Sequence, residues 1–169
     1  MKMGALVKLV DAVLFLFFLL MAVCVPLFDA QACLPESLFP DALLDLKRGY
    51  SGRVGDYLVA EKPLFFVGLV WLEILFLWPL SILNLYGILA ARPWFRTTCL
   101  IYGVSVATSM VAILSELTGS GKASDDLLMV YFPFLGLSLL AFLRGLLPCS
   151  TKTTSTISKK PALARKKRA

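Results

Sequence analysis

Two acids, Asp29 and Glu73, are the side chains whose positions invite chemistry. Glu73 lies inside Pro63–Ala90, an apolar stretch in which it is the single acid or base. At 1.5 Å per helical residue it sits about 15 Å in from Pro63, near the middle of a bilayer about 30 Å thick. A carboxylate there costs on the order of 3 kcal/mol unless it is neutralised or partnered. A functional acid is therefore the first reading, and a protonated packing residue tied to a neighbouring helix is the second. Asp29 closes the first apolar segment, and sequence spacing leaves open whether it meets Glu73 or is solvated at a helix end. Two carboxylates in one low-dielectric site repel, so one keeps its proton. Such a pair can pass a proton or hold a cation. An acid in a cavity of Phe, Trp and Tyr suits a hydrophobic amine or a sterol-like ring system.

Other chemistry is excluded by residue type. The chain has no histidine, no G-x-S-x-G and no cluster of metal ligands, which removes the usual nucleophilic and metal-assisted mechanisms. No cofactor and no metal are expected. The run Gly119-x-Gly121-Lys122 is too short for a phosphate loop and follows a helix. Cys24, Cys33, Cys99 and Cys149 form no C-x-x-C pair and read as free thiols packed as small hydrophobes. Asn84 is the single asparagine and is not in a glycosylation sequence.

The elements that must position the acids are membrane helices. Of 169 residues, 59% are hydrophobic, and the mean hydropathy is +0.81, too apolar for an ordinary soluble domain. The pattern predicts an all-α, polytopic four-helix bundle with a membrane-embedded ligand cavity. Spans fall at about 6–28, 63–90, 97–117 and 127–147 within a membrane domain of residues 1–147. Residues 148–169 read as a disordered basic tail. The first segment also resembles a signal peptide, but it is long for one and Asp11 interrupts its start, so a retained helix is expected. Between the first two spans, Leu38, Leu43, Leu44 and Leu46 suggest a short amphipathic surface helix over about 40–48, and Gly49, Gly52 and Gly55 then loosen the chain. Small residues on the third span, from Gly103 to Ser115, permit close helix approach. Pro133 is expected to bend the fourth span beside a cavity.

Charge sets the orientation. Lys2, Lys8, Arg92, Arg96, Arg144 and the basic tail fall on one side, while nine of eleven acids, Asp11 and Glu73 excepted, fall on the other. The positive-inside rule makes both termini cytosolic. Lys166 and Lys167 match a di-lysine retrieval signal of endoplasmic-reticulum membrane proteins. The plainer reading is a basic cluster attracted to lipid. The net charge of +6 lies mostly in the tail rather than on a soluble face, so the partner is the bilayer and not nucleic acid.

The chain resembles the EXPERA-domain family, in its sigma-2-receptor branch. The resemblance covers roughly residues 12–146 and rests on segments in the family's order and spacing. These are Leu27–Pro40, Leu72-Glu73-Ile-Leu-Phe76-Leu-Trp-Pro79, Phe95-Arg96-Thr97 with Ile101-Tyr102, Ile113-Leu114-Ser115 and Val130-Tyr131-Phe-Pro133-Phe134. It implies that Asp29 and Glu73 face one occluded cavity open to the bilayer, Asp29 pairing with a ligand amine and Glu73 supporting it by hydrogen bonding. It further implies a structural role for Asp56 and pocket positions for Tyr102, Ser109, Ile113, Tyr131 and Phe134. Leu77 stands where the family branch has a polar amide, Phe134 where it has a tyrosine and Ser109 where it has a threonine, so the pocket here is expected to be more apolar. The implied function is binding of sterols or hydrophobic amines in intracellular cholesterol homeostasis, without catalysis. A sterol-transport membrane protein is implied as a partner. Family analogy and the small-residue face of the third span suggest a homodimer. The alternative is a sterol Δ8-Δ7 isomerase of the emopamil-binding-protein type, with Glu73 as proton donor and Asp29 stabilising the carbocation. That enzyme needs a histidine that this chain lacks. A third reading is an assembly factor for a larger membrane protein.

Overall fold

The computed structural model describes residues 2–147, and the tail with Lys166 and Lys167 lies outside the described residues. Helix α1 spans Lys2–Leu27 and is followed by short 3-10 turns at Asp29–Ala32 and Glu36–Leu38. Helices α2 (Asp41–Val54) and α3 (Tyr57–Glu61) fill the first connection. The second apolar segment comprises α4 (Leu64–Leu72), a π-helical stretch at Glu73–Leu77 and α5 (Trp78–Leu89). Helices α6 (Phe95–Gly119) and α7 (Asp125–Leu146) complete the chain. Four segments, Gly4–Ala32, Leu64–Leu89, Phe95–Gly119 and Asp125–Leu146, are long and apolar enough to cross a membrane. The described residues contain no strand.

Two features differ from the expected elements. Helix α2 runs to Val54, straight through Gly49 and Gly52, where a loosened segment was expected. Each of those glycines costs about 1 kcal/mol against alanine, which tertiary contacts override. Gly55 ends the helix at φ +71°, a left-handed conformation that suits glycine. The second span is not one regular α-helix. At Glu73 the ladder widens, and the Trp78 N–H donates to the Glu73 carbonyl five residues back. Pro79 follows at once and has no N–H, so one bond of the ladder is missing there before α5 continues to Leu89. Pro133 sits inside α7, which continues through it.

The bundle has two apolar cores. One joins Leu14, Phe17, Phe18, Met21 and Val25 of α1 to Leu77 and Leu80, to Phe95, Cys99, Tyr102 and Val106 of α6, and to Ala141 of α7. The other, toward the end away from the termini, gathers Leu58, Phe66, Val70, Ile113, Leu114, Leu117 and Leu127. Helices α6 and α7 pack most extensively, because glycine lets the backbones approach. A Cβ on Gly145 would lie 2.6–2.7 Å from the Leu100 backbone and Cβ, and one on Gly103 would collide with the backbone of Phe142 and Ser138. Gly103 is thus spent inside the chain. Outward faces are apolar where a soluble bundle would be polar: Leu75, Leu89 and Met129 are 70–74% exposed. Near the termini, Arg144 on α7 holds Asp11 on α1 through bonds of 2.6 and 3.1 Å, so the acid that interrupts the first segment is neutralised.

The opposite, distal end carries a cap made of α2 and α3. Tyr57 Oη and Ser120 Oγ are 2.9 Å apart, Ser124 Oγ donates to the Val54 carbonyl at 3.1 Å, and Lys122 pairs with Glu61 at 3.3 Å. The connection between α6 and α7 therefore latches the cap over the bundle.

Candidate functional site: an acid-lined cavity in the membrane bundle

The turn after α1 places Asp29. Gln31 Nε2 donates to the Leu27 carbonyl at 2.6 Å, satisfying the end of α1 and fixing the 3-10 turn that Asp29 begins. Cys33 Sγ contacts the Val67 carbonyl at 3.6 Å, which docks that turn on α4. Glu73 is placed by the π stretch it opens. Trp78 Nε1, at the far end of that stretch, donates to the Ala22 carbonyl at 3.0 Å and pins the second span to α1. A π turn rotates the following side chains relative to a regular helix, a device common at functional sites.

Asp29 and Glu73 line one cavity of about 340 Å³, bounded by α1, the second span, α6 and α7 and covered by the distal cap. That volume falls at the lower end of small-molecule pockets, roughly 300–1,000 Å³. The wall is otherwise almost wholly apolar: Met21, Phe66, Val70, Leu77, Val106, Met110, Ile113 and Phe134 face it. Asp56 also reaches the wall from the cap. It caps α3 by accepting from the Val59 N–H at 3.2 Å, and its second oxygen accepts from Tyr131 Oη at 2.9 Å. Both carboxylate oxygens are thus engaged by hydrogen bonds within the fold. Tyr50, on α2, faces Asp56, and burial first, then Asp56 and Asp29, pushes its phenol up to about 12.

Of the residues expected at the pocket, Asp29, Glu73, Ser109, Ile113, Tyr131 and Phe134 line this cavity. Tyr102 does not. It is fully buried in the first core, edge-on to Phe18 at 5.0 Å and Phe17 at 5.9 Å, and its hydroxyl has no hydrogen-bond partner among the described residues. Several cavity positions lie outside those expected from the sequence. Met21 and Cys24 of α1 and Phe28 just after it follow one another at spacings of three and four, a signal present in the sequence. Tyr50 was missed because α2 was expected to stop before it. The described residues hold no cluster of His, Cys, Asp and Glu able to ligate a metal.

Four apolar spans around an acid-bearing cavity define a multi-pass helical membrane protein with a small-molecule-sized pocket in its bundle. Residues 42–145 match the EXPERA (EXPanded EBP superfamily) family, and the chain belongs to that family. It is similar to the sigma intracellular receptor 2 of Xenopus tropicalis, with 29% identity over 154 residues covering 83% of this chain and 90% of the relative. It is also similar to the proteins of that name from Homo sapiens and Macaca fascicularis. Each is 33% identical over 88 residues, which cover 52% of this chain and 50% of the relative.

Proposed function

We propose that this protein binds sterols or hydrophobic amines in the bundle cavity, without catalysis, and acts in intracellular sterol handling at the endoplasmic-reticulum membrane. The observation that carries the reading is the pair Asp29 and Glu73 on the wall of one largely apolar cavity. An apolar wall of this size suits a rigid ring system, and a carboxylate at its margin orients an amine or a hydroxyl. In this reading Asp29 meets the ligand's polar group and Glu73 supports it. Ser109, Ile113, Tyr131 and Phe134 give the pocket its shape. Tyr102 acts from behind as packing. Residues 1–147 form the binding domain, and 148–169 serve as a basic cytosolic tail whose Lys166 and Lys167 return the protein to the endoplasmic reticulum. A sterol-transport membrane protein as partner, and a homodimer, belong to the same proposal. Support comes from membership of the EXPERA family, from relatives named as receptors, and from the charge distribution. The test is saturable binding of a radiolabelled hydrophobic amine and of a photoreactive sterol to the purified protein. Failure of both ligands to compete for one site overturns the reading.

A second reading is kept because two acids share the cavity: proton transfer to a sterol ring double bond, as in the isomerase of this superfamily. Absence of histidine from the chain argues against it. Incubating the purified protein with a Δ8-sterol and looking for the Δ7 product by mass spectrometry separates the two.

A further inference from the structure

A second cleft of about 330 Å³ lies at the distal face, outside the acid cavity, and Val59 borders both. We propose that this cleft holds the phosphodiester headgroup of a membrane lipid whose head also carries a hydrogen-bond donor, such as glycerol or ethanolamine. The inference is independent of what the acid cavity binds.

Three cations line the cleft, Lys47, Arg48 and Lys62, against one acid, Glu36. Arg48 is already engaged, at 3.3 Å from Asp45 and 3.7 Å from Glu36. Lys47 and Lys62 take part in no ion pair among the described residues; Lys62 Nζ reaches the Gln31 carbonyl at 3.4 Å. Burial first, then the Lys62 ammonium, holds Lys47 below its ordinary value, against a partial opposing pull from Glu36, Asp29 and Cys33. Like charges held together in a partly buried cleft are unfavourable unless an anion joins them. A phosphodiester oxygen pair between the two lysines relieves that repulsion.

The second observation is Gln31. Gln31 borders the cleft, its side chain is 1% exposed, and its Oε1, just beneath the cleft, has no hydrogen-bond partner among the described residues. Its Nε2 is committed to the Leu27 carbonyl, so the amide cannot flip to exchange the two atoms. A buried acceptor left unpaired costs about 1–3 kcal/mol, which a donor on the ligand removes. The ligand must therefore pair an anion with a donor. A choline head lacks that donor, and so does sulfate.

The source is a lipid rather than a free phosphate ester because apolar side chains flank the cleft. Leu44 lines it, and Leu46 and Leu38 on the same segment are 56% and 66% exposed. An amphipathic helix with exposed leucines sits at the head–chain boundary of a bilayer.

The experiment uses the full chain, purified in detergent, with dihexanoyl phosphatidylglycerol as probe. It is expected to bind saturably and at least tenfold more tightly than dihexanoyl phosphatidylcholine and than dihexanoylglycerol. Lys47→Gln with Lys62→Gln is expected to abolish that preference, while the equal charge loss in Lys8→Gln with Arg53→Gln, both exposed and outside the cleft, preserves it. The wild-type comparison needs no variant and stands even if the lysine double variant fails to fold. Equal binding of the phosphatidylglycerol and the diacylglycerol overturns the anion site. Equal binding of the glycerol and choline heads overturns the role of Gln31. Glycerol 3-phosphate competing at the same concentration as the lipid overturns the lipid source and assigns the cleft to a soluble phosphate ester.

Discussion

Tyr131 donates a 2.9 Å hydrogen bond to Asp56, joining the middle of α7 to the start of α3 across 75 positions of sequence. Asp56 is 1% exposed, and it also caps α3 through the Val59 N–H. One carboxylate thereby fastens the distal cap to the bundle wall and closes one side of the acid cavity. Tyr131→Phe keeps the ring on the wall and removes the donor. Withdrawing one donor from a buried carboxylate costs about 1–3 kcal/mol. Thermal unfolding in detergent is expected to move down by several degrees. A melting curve identical to wild type would show that the bond holds nothing in place.

The close approach of α6 and α7 makes a contrast between glycines. Gly145→Ala drives a methyl group against the Leu100 backbone, 2.7 Å away, and its Cβ, 2.6 Å away, neither of which a rotamer change can move aside. The helices must separate, at a cost of about 1–3 kcal/mol from overpacking. Gly68→Ala, on α4, meets nothing within 4 Å. It is expected to be neutral or stabilising by up to about 1 kcal/mol through helix propensity. Parallel melting of the two variants checks both signs, and equal destabilisation overturns the packing described for α6 and α7.

How much of this was legible in the sequence depended on how each feature is encoded. Apolar length betrayed the four spans because the bilayer imposes it on every crossing helix. Glu73 declared itself because an acid in such a span is costly. The π turn at Glu73 was not legible: Pro79 marks a broken ladder, but whether the chain answers with a kink or a wider turn depends on packing against Ala22. Nor was the extent of α2, since glycine propensity argued for a loop, while the bond from Ser124 to the Val54 carbonyl at the end of α2 is a tertiary contact that no local signal encodes. Tyr102 was assigned to the pocket by resemblance. The structure turns it toward Phe17 and Phe18, a choice set by side-chain packing that no sequence spacing reveals.

The proposed orientation makes a prediction about tags. Residues 148–169 are cytosolic in this reading, and the connection at Ser120–Ser124 is lumenal. An epitope after Ala169 is expected to be reached by antibody once the plasma membrane alone is permeabilised. One inserted after Gly121, where the chain turns at φ +66°, is expected to stay protected. Equal accessibility overturns the four-span topology. Lys166→Ser with Lys167→Ser is expected to let the protein leave the endoplasmic reticulum, and unchanged localisation would place retention in the spans or a partner.

The acid pair gives the sharpest ordering. In the proposed site Asp29 makes a charge-assisted bond to the ligand, worth about 1.5–3 kcal/mol. Asp29→Asn removes the charge but keeps the shape of the turn, which the Gln31–Leu27 bond and the Cys33–Val67 contact hold. Affinity for a hydrophobic amine is expected to fall by about one to two orders of magnitude, with little change in melting. Glu73→Gln is milder, because a protonated Glu and a Gln both donate a hydrogen bond. Glu73→Ala adds a loss of stability, since it leaves a void beside Leu77 and Val106 on the cavity wall. An uncharged sterol should respond less to Asp29→Asn than an amine does, because it offers no cation to the carboxylate. Competition binding with both ligands on all three variants measures this ordering. Wild-type amine binding in the Asp29→Asn, Glu73→Gln double variant would falsify the carboxylate site and leave Glu73 as a packing residue.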